Sequence, residues 1–105
     1  MPVAKKPIQR EYKLRSNVWQ YPGMAGWHFI SVSKKASEQI KTTFAKHRRG
    51  WGSIPVSVTI GKTLWNTSIF PDTKSGTYLL PLNAKVRKQE GISAKDTVKF
   101  LLKIR

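Results

Sequence analysis

Residues 54–70, IPVSVTIGKTLWNTSIF, restrict the fold of this chain more than any other segment. In the first half, apolar residues alternate with hydroxyl residues in the order Val56, Ser57, Val58, Thr59, Ile60. A period of two is typical of a β-strand with one buried face. Gly61 and Lys62 then predict a two-residue hairpin turn, because glycine adopts the positive φ that such turns require. A hairpin alone is marginally stable, so the remaining chain must cover its apolar face.

Four more segments have strand patterns, and two have helix patterns. The predicted strands are residues 8–21, 27–32, 77–80 and 96–105. Ser33 predicts a helix N-cap, and apolar residues follow at helical spacing as far as His47, with Gly50 as the stop. A second short helix is predicted over residues 83–90 and ends at Gly91. The predicted core comprises, with the aromatic residues, Val56, Val58, Ile60, Val98, Phe100, Leu102 and Ile104.

These elements predict one domain. The chain has 105 residues and no internal linker, so residues 8–105 are expected to share a single core. Residues 1–7, with two prolines and two lysines, are predicted to be a flexible basic arm. The number and order of strands predict a mainly-β fold, a small closed or split barrel of about six strands capped by two short helices.

The charge balance is the strongest compositional signal. Twenty Lys and Arg residues against five Asp and Glu give a formal net charge of +15. Such a field attracts polyanions, among which DNA and RNA are the leading candidates, although a merely solubilising lysine-rich surface is the alternative. The absence of cysteine fits a cytoplasmic protein, and neither a membrane span nor a signal peptide is apparent.

Two basic clusters are the candidate nucleic-acid contacts. The first combines cations with an aromatic residue between glycines and comprises Lys46, Arg48, Arg49 and Trp51. Cations can bind phosphate while an aromatic ring stacks on a base. The alternative interpretation is a helix C-terminus followed by a core tryptophan. The second cluster lies on the predicted second helix and comprises Lys85, Arg87 and Lys88. The alternative interpretation is the charged outer face that a short surface helix has in any case.

The residues for catalysis or metal binding are few. His28 and His47 are the only imidazoles, and the five acids are spread along the chain. Zinc sites usually need three or four ligands, so no metal site, cofactor or catalytic set is predicted. The chain is therefore interpreted as a non-enzymatic binding module, either a monomer or a homodimer. The alternative to nucleic acid is a small-ligand or protein-interaction barrel with an aromatic cleft lined by Trp27, His28, Trp65, Phe70 and Tyr78.

Four ordered motifs carry a resemblance to a known family. They are GWHF at residues 26–29, RGWGSIPV at 49–56, WNTSIFP at 65–71 and YLLP at 78–81. Together they resemble the small bacterial family catalogued as domain of unknown function 1905. The resemblance implies a double-split β-barrel capped by helices, and it implies no agreed activity, catalytic residue or cofactor.

A second, more distant similarity lies in the last third of the chain. The pattern VR-x3-GI-x3-D-x-V, from Val86 to Val98, resembles the loop–helix–strand unit of AbrB-type regulators and MazE-type antitoxins, which bind DNA as dimers. Lys95 stands where that pattern usually has glycine. Residues 29–60 and 78–104 each run strand, helix, strand, so the chain is predicted to contain both halves of such a barrel.

Overall fold

The computed structural model describes residues 8–23 and 26–105. Its elements are β1 (Glu11–Gln20), β2 (His28–Ser31), α1 (Lys34–Thr43), β3 (Ile54–Ile60), β4 (Thr63–Asp72), β5 (Thr77–Leu82), α2 (Ala84–Glu90) and β6 (Thr97–Ile104). The predicted arm, residues 1–7, lies outside the described residues, as do Met24 and Ala25 of the first predicted turn.

The six strands close into a barrel in the order β1-β2-β5-β4-β3-β6. The two longest strands each serve two sheets. In β1, residues 11–17 pair with β6 and residues 18–20 pair with β2. In β4, residues 63–69 pair with β3 and residues 70–72 pair with β5. We call the half that contains β3 and β6 sheet A and the half that contains β2 and β5 sheet B. The prediction of a small mainly-β barrel capped by two short helices is confirmed.

The barrel consists of two topologically equivalent units. The first is β1-β2-α1-β3, and the second is β4-β5-α2-β6. Exchanging the two units leaves the strand order unchanged, because β2 pairs with β5 and β3 pairs with β6. The predicted strand–helix–strand repeat is therefore present as β2-α1-β3 and β5-α2-β6. In each unit the long strand β1 or β4 comes before this repeat.

The core fills the barrel as strand parity requires. All seven predicted strand residues are at most 7% exposed, and the central hairpin turns at Gly61 with a φ of +56°. The core also contains Ile30, Ile40, Phe44 and Leu80, each at most 1% exposed. Burying these side chains from β2, α1 and β5 supplies the cover that the central hairpin lacks by itself.

The first helix is shorter than its pattern predicts. Ser33 caps it as expected, because its Oγ accepts a hydrogen bond from the Ala36 N–H at 3.2 Å. However, the prediction that the helix continues to a stop at Gly50 was wrong. Phe44 leaves the helical conformation, with a φ of −112°, and buries its ring in the core. Two short 3-10 turns, over residues 45–47 and 50–52, lead from there to β3.

The second helix follows its prediction closely. The Asn83 Oδ1 accepts a hydrogen bond from the Val86 N–H at 2.8 Å, and Gly91 ends the helix in the left-handed region with a φ of +64°. Val86 is buried, whereas Ala84 is exposed. The strand before this helix continues through Pro81 to Leu82, two residues beyond its predicted end.

Candidate binding surfaces on the two sides of the barrel

The outer side of sheet A carries a row of cations. Residues at odd positions of β1 and β6 point away from the core, because their even neighbours are the buried ones. The four exposed cations among them are Lys13, Arg15, Lys99 and Lys103. We call this surface the basic face. It was missed in the sequence because the four residues belong to the two ends of the chain and meet only through β1–β6 pairing.

The cations of the basic face lie close together. Arg15 is directly opposite Lys99 in the β1–β6 register. Like charges at facing positions destabilise a sheet. Glu11, opposite Lys103, is the one acid among the outward residues of these two strands. From Lys99 to Lys103 the strand rises about 14 Å, a length over which duplex DNA carries about eight phosphate charges.

Hydroxyl and amide groups surround these cations. The Thr97 hydroxyl donates to Asn17 Oδ1 at 2.7 Å, and the Ser57 hydroxyl donates to Asn66 Oδ1 at 2.7 Å. A shallow groove of about 460 Å³ runs between Lys13, Lys99 and Thr59. Such side chains supply much of the contact that proteins make with a nucleic-acid backbone.

The first predicted cluster lies on the loop before β3. Lys46, Arg48 and Arg49 are exposed. Trp51 is 94% exposed, so the alternative interpretation of this residue as a core tryptophan was wrong. A tight turn lifts Trp51 away from the core, since the Arg49 N–H donates to the Ser53 carbonyl at 2.7 Å. Trp51 has a φ of +64°, which is strained for a bulky side chain.

The structure separates the two predicted basic clusters. The β2–β5 pair explains why, because Ser31 pairs with Leu79 at one end and His28 pairs with Leu82 at the other. The first end leads into α1 and its following loop, and Arg48 lines a groove of about 440 Å³ there beside Tyr78. The second end leads into α2. Its cations Lys85 and Lys88 are exposed, whereas Arg87 is half-buried.

The outer side of sheet B is aromatic instead of basic. It carries Trp19, Tyr21, Trp27 and Phe29, which we call the aromatic face. The Trp27 and Phe29 rings stack with centroids 5.8 Å apart and an interplanar angle of 24°. The ring centroid of Trp19 lies 5.2 Å from that of Phe29, and the Trp19 indole N–H donates to the Ser31 hydroxyl at 3.0 Å. Half of the Trp27 surface nevertheless remains open to solvent.

Next to the aromatic face lies a cleft of about 850 Å³. Its lining combines β2, β4, β5 and the first turn of α2, and it includes Trp27, His28, Phe29, Phe70, Leu79, Pro81, Asn83 and Arg87. Three of the five residues predicted for an aromatic pocket therefore line the cleft. The placement of Tyr78 and Trp65 was wrong. Tyr78 has inward parity on β5 and is 3% exposed, and Trp65 packs against the core from β4.

The sequence does contain a signal for this cleft. The strand around β2 is apolar at both parities, with Trp27 and Phe29 on one side and Ile30 and Val32 on the other. A strand that is apolar on both sides needs a partner on both sides. Leu79 and Pro81 on β5 repeat this pattern, because Phe29 faces Pro81 in the β2–β5 register.

Among the described residues that line the cleft, Arg87 is the one with a permanent charge. Its Nε–H donates to the Leu82 carbonyl and its Nη2 donates to the Gly26 carbonyl, both at 3.3 Å. Since a guanidinium has five N–H groups, these two bonds hold the side chain in place without using all of its donors. The sequence grouped Arg87 with the lysines beside it, but the helix turns Arg87 toward β2.

The two histidines have backbone or aromatic neighbours, and the buried His47 Nδ1 has no hydrogen-bond partner among the described residues. The His28 Nδ1 lies 3.0 Å from the Gly26 carbonyl, and the His47 ring packs edge-on against Phe44. Burial raises the pKa of Tyr12 and of Tyr78, and Arg48 partly opposes the increase in the pKa of Tyr78. Within residues 8–23 and 26–105, no three potential ligands among His, Asp and Glu come together as a metal site. No helix in these ranges is long and apolar enough to cross a membrane.

Comparison with known proteins agrees with the motifs. A search of curated proteins finds no match. The model of the family called domain of unknown function 1905 matches residues 15–102, which is most of the chain and covers at least part of every strand of the barrel. Three of the four family-like motifs contribute residues to the lining of the cleft. The chain therefore belongs to the family of domain of unknown function 1905.

Proposed function

We propose that this protein is a non-enzymatic nucleic-acid-binding module whose main contact surface is the basic face. The observation that carries this proposal is the juxtaposition of Arg15 and Lys99 on facing strands. Two cations held side by side repel each other, so the arrangement opposes folding. A phosphate backbone placed over the pair would neutralise both charges and convert this repulsion into affinity.

The loop before β3 is proposed to extend the same surface. This loop leads directly into β3, whose outward residues Ser57 and Thr59 border the basic face. Arg48 and Arg49 add cations, and the exposed Trp51 offers an aromatic ring on which an unpaired base can stack. A strained backbone that holds a tryptophan in solvent is a further reason to assign this residue a binding role.

The proposal is tested by the salt dependence of binding. Fluorescence anisotropy should be measured for a labelled duplex and for its single strand over a series of salt concentrations. Each neutralised phosphate contributes about −0.9 to the logarithmic slope on duplex DNA, so the four cations of the basic face should give about −3.6, and Arg48 and Arg49 should add about −1.8. Binding no tighter than millimolar at low salt would exclude nucleic acid as the partner.

Three double variants, each removing two positive charges, distinguish a defined surface from the effect of net charge alone. Arg15→Gln with Lys99→Gln should make the negative slope shallower by about 1.8, and Arg48→Gln with Arg49→Gln should do the same. Lys85→Gln with Lys88→Gln is the matched control on α2 and should leave the slope unchanged. Equal losses in all three variants would contradict a localised site.

A second function, binding of a small molecule, is proposed for the cleft. The observation that favours it is an open cavity of about 850 Å³ lined by aromatic and aliphatic side chains with few polar groups. Ligand sites in proteins commonly have this size and lining. A binding role without catalysis is consistent with His28, whose Nδ1 faces a backbone carbonyl and not a carboxylate.

We further propose that the relationship to AbrB-type and MazE-type proteins is one of element order. In support, β5, α2 and β6 follow the order of that unit, and Lys95 adopts the left-handed φ of +76° where the pattern usually has glycine. The two equivalent units in one chain could replace the two chains of such a dimer. Similar folds do not transfer DNA binding, so this relationship adds no weight to the nucleic-acid proposal.

A further inference from the structure

We infer that the cleft binds a planar aromatic carboxylate, with the aromatic part over the apolar floor and the carboxylate at Arg87. This inference rests on the second proposed function, binding of a small molecule, and names its ligand class. It is independent of the basic face, which lies on the other half of the barrel.

The floor of the cleft suits a flat apolar group. Phe29 and Pro81 face each other across β2 and β5, and Leu79 faces Phe70 across β5 and β4. These four side chains are outward residues of neighbouring strands, so they form one continuous apolar surface. Trp27, stacked on Phe29 and half exposed, forms the wall at one end. Aromatic rings pack favourably against such surfaces in offset or edge-on arrangements.

The polar end of the cleft suits an anion. Arg87 comes from the first turns of α2, and its hydrogen bonds to the carbonyls of Leu82 and Gly26 fix the guanidinium at the rim. A guanidinium matches a carboxylate in shape and charge, and it can donate two parallel hydrogen bonds. Asn83 lines the same end and adds an amide. The formal net charge of +15 also favours an anionic ligand over a cationic one.

The position of Arg87 differs from that of the other cations on its helix. Lys85 and Lys88 on the same helix extend into solvent, whereas Arg87 is half-buried beside aromatic side chains. A charged group in a partly apolar site loses hydration, and a bound anion restores the lost interaction. This contrast within one short helix favours an anion site over a solubilising role.

The test uses 2-naphthoate as the probe and 2-naphthamide as its uncharged analogue. Binding should be followed by heteronuclear NMR titration of the full chain, which reports both the affinity and the backbone amides that shift. For a ligand of this size we expect a Kd of about 1 mM or tighter for naphthoate. The largest shifts should fall in residues 27–29 and 79–87, and the amide should bind at least about tenfold more weakly.

Variants separate the anion contact from the shape of the cleft. Arg87→Gln should weaken naphthoate binding about tenfold or more and leave the weak binding of the amide unchanged. Arg87→Lys should retain part of the affinity for naphthoate. Lys88→Gln removes the same charge one residue away and should have no effect. Thermal melts establish that each variant is folded. If Arg87→Gln is unfolded, Arg87→Lys still tests the anion contact.

Two results would overturn the inference. One is equal affinity for naphthoate and naphthamide, which would show that no anion contact exists. The other is the absence of shifts in residues 27–29 and 79–87 at saturating naphthoate, which would show that the cleft is not the site. Since neither result involves the basic face, neither bears on the nucleic-acid proposal.

Discussion

The basic face and the aromatic face share the strand β1 and differ completely in chemistry. Along β1 the outward residues include Lys13 and Arg15 where the strand pairs with β6, and Trp19 where it pairs with β2. The outward side of β4 changes in the same way, from Asn66 beside β3 to Phe70 beside β5. A strand that serves two sheets can therefore contribute to two unrelated surfaces.

The difference bears on what each side of the barrel can bind. The strands that carry the basic face alternate as in an ordinary solvent-exposed sheet, with apolar side chains inward and mostly polar side chains outward. Residues 27–32 around β2, and the strand β5, carry apolar side chains on both sides, although only their inner side faces the core. A contiguous apolar surface left open on a monomer commonly marks a site for a ligand or partner. The two sides are thus suited to partners of different chemistry.

The largest expected effect comes from the core beneath the basic face. Replacing Phe100, which is 4% exposed, by alanine should cost about 3 to 5 kcal/mol of unfolding free energy. Leu101→Ala, one residue away on the outer side, is the matched control and should cost much less. Urea denaturation followed by circular dichroism measures both. Similar losses in the two variants would contradict the assigned parity of β6.

The next effect contrasts the two outer faces directly. Trp19→Ala should cost about 2 kcal/mol, because it removes contacts with Phe29 and Tyr21 and the hydrogen bond to Ser31. Lys13→Ala, at an equivalent outward position of the same strand, should change stability by about 0.5 kcal/mol or less. The same denaturation experiment applies, and equal costs would mean that the aromatic face is not packed as described.

A smaller effect is expected from Trp51. Because the side chain is 94% exposed, Trp51→Ala should leave the unfolding free energy within about 0.5 kcal/mol of the parent. If the ring stacks on a base, the same variant should weaken the binding of single-stranded DNA about fivefold and should hardly change the binding of duplex DNA. Anisotropy with both DNA forms measures this. A large loss of stability would restore the interpretation as a core residue.

The smallest effect concerns the repulsion on the basic face. Lys99→Glu converts the like-charge pair with Arg15 into an opposite-charge pair, so it should raise the unfolding free energy by about 0.2 to 1 kcal/mol. The same variant should weaken duplex DNA. High salt should reduce the gain in stability, because the residues are exposed. A variant that is less stable at low salt than the parent would argue against facing cations.

Much of the fold could be predicted from the sequence, whereas little of the site could. The alternation in β3 and β6 and the helix stop at Gly91 are local patterns, so they were sufficient to predict these strands and the end of α2. The end of α1 was not predictable in this way, because Phe44 leaves the helix to fill a core that distant strands create. Both candidate surfaces depend on pairing between remote segments, such as Arg15 with Lys99, and a single sequence does not provide that pairing.

The most direct test of two independent surfaces is a crossed binding measurement. The Arg15→Gln, Lys99→Gln double variant and the Arg87→Gln variant should each be titrated with duplex DNA and with 2-naphthoate under the same conditions. The double variant should make the salt slope for duplex DNA shallower by about 1.8 and leave naphthoate binding unchanged. Arg87→Gln should weaken naphthoate binding about tenfold and leave the slope for duplex DNA unchanged. If either variant weakens both ligands alike, the two surfaces are not independent.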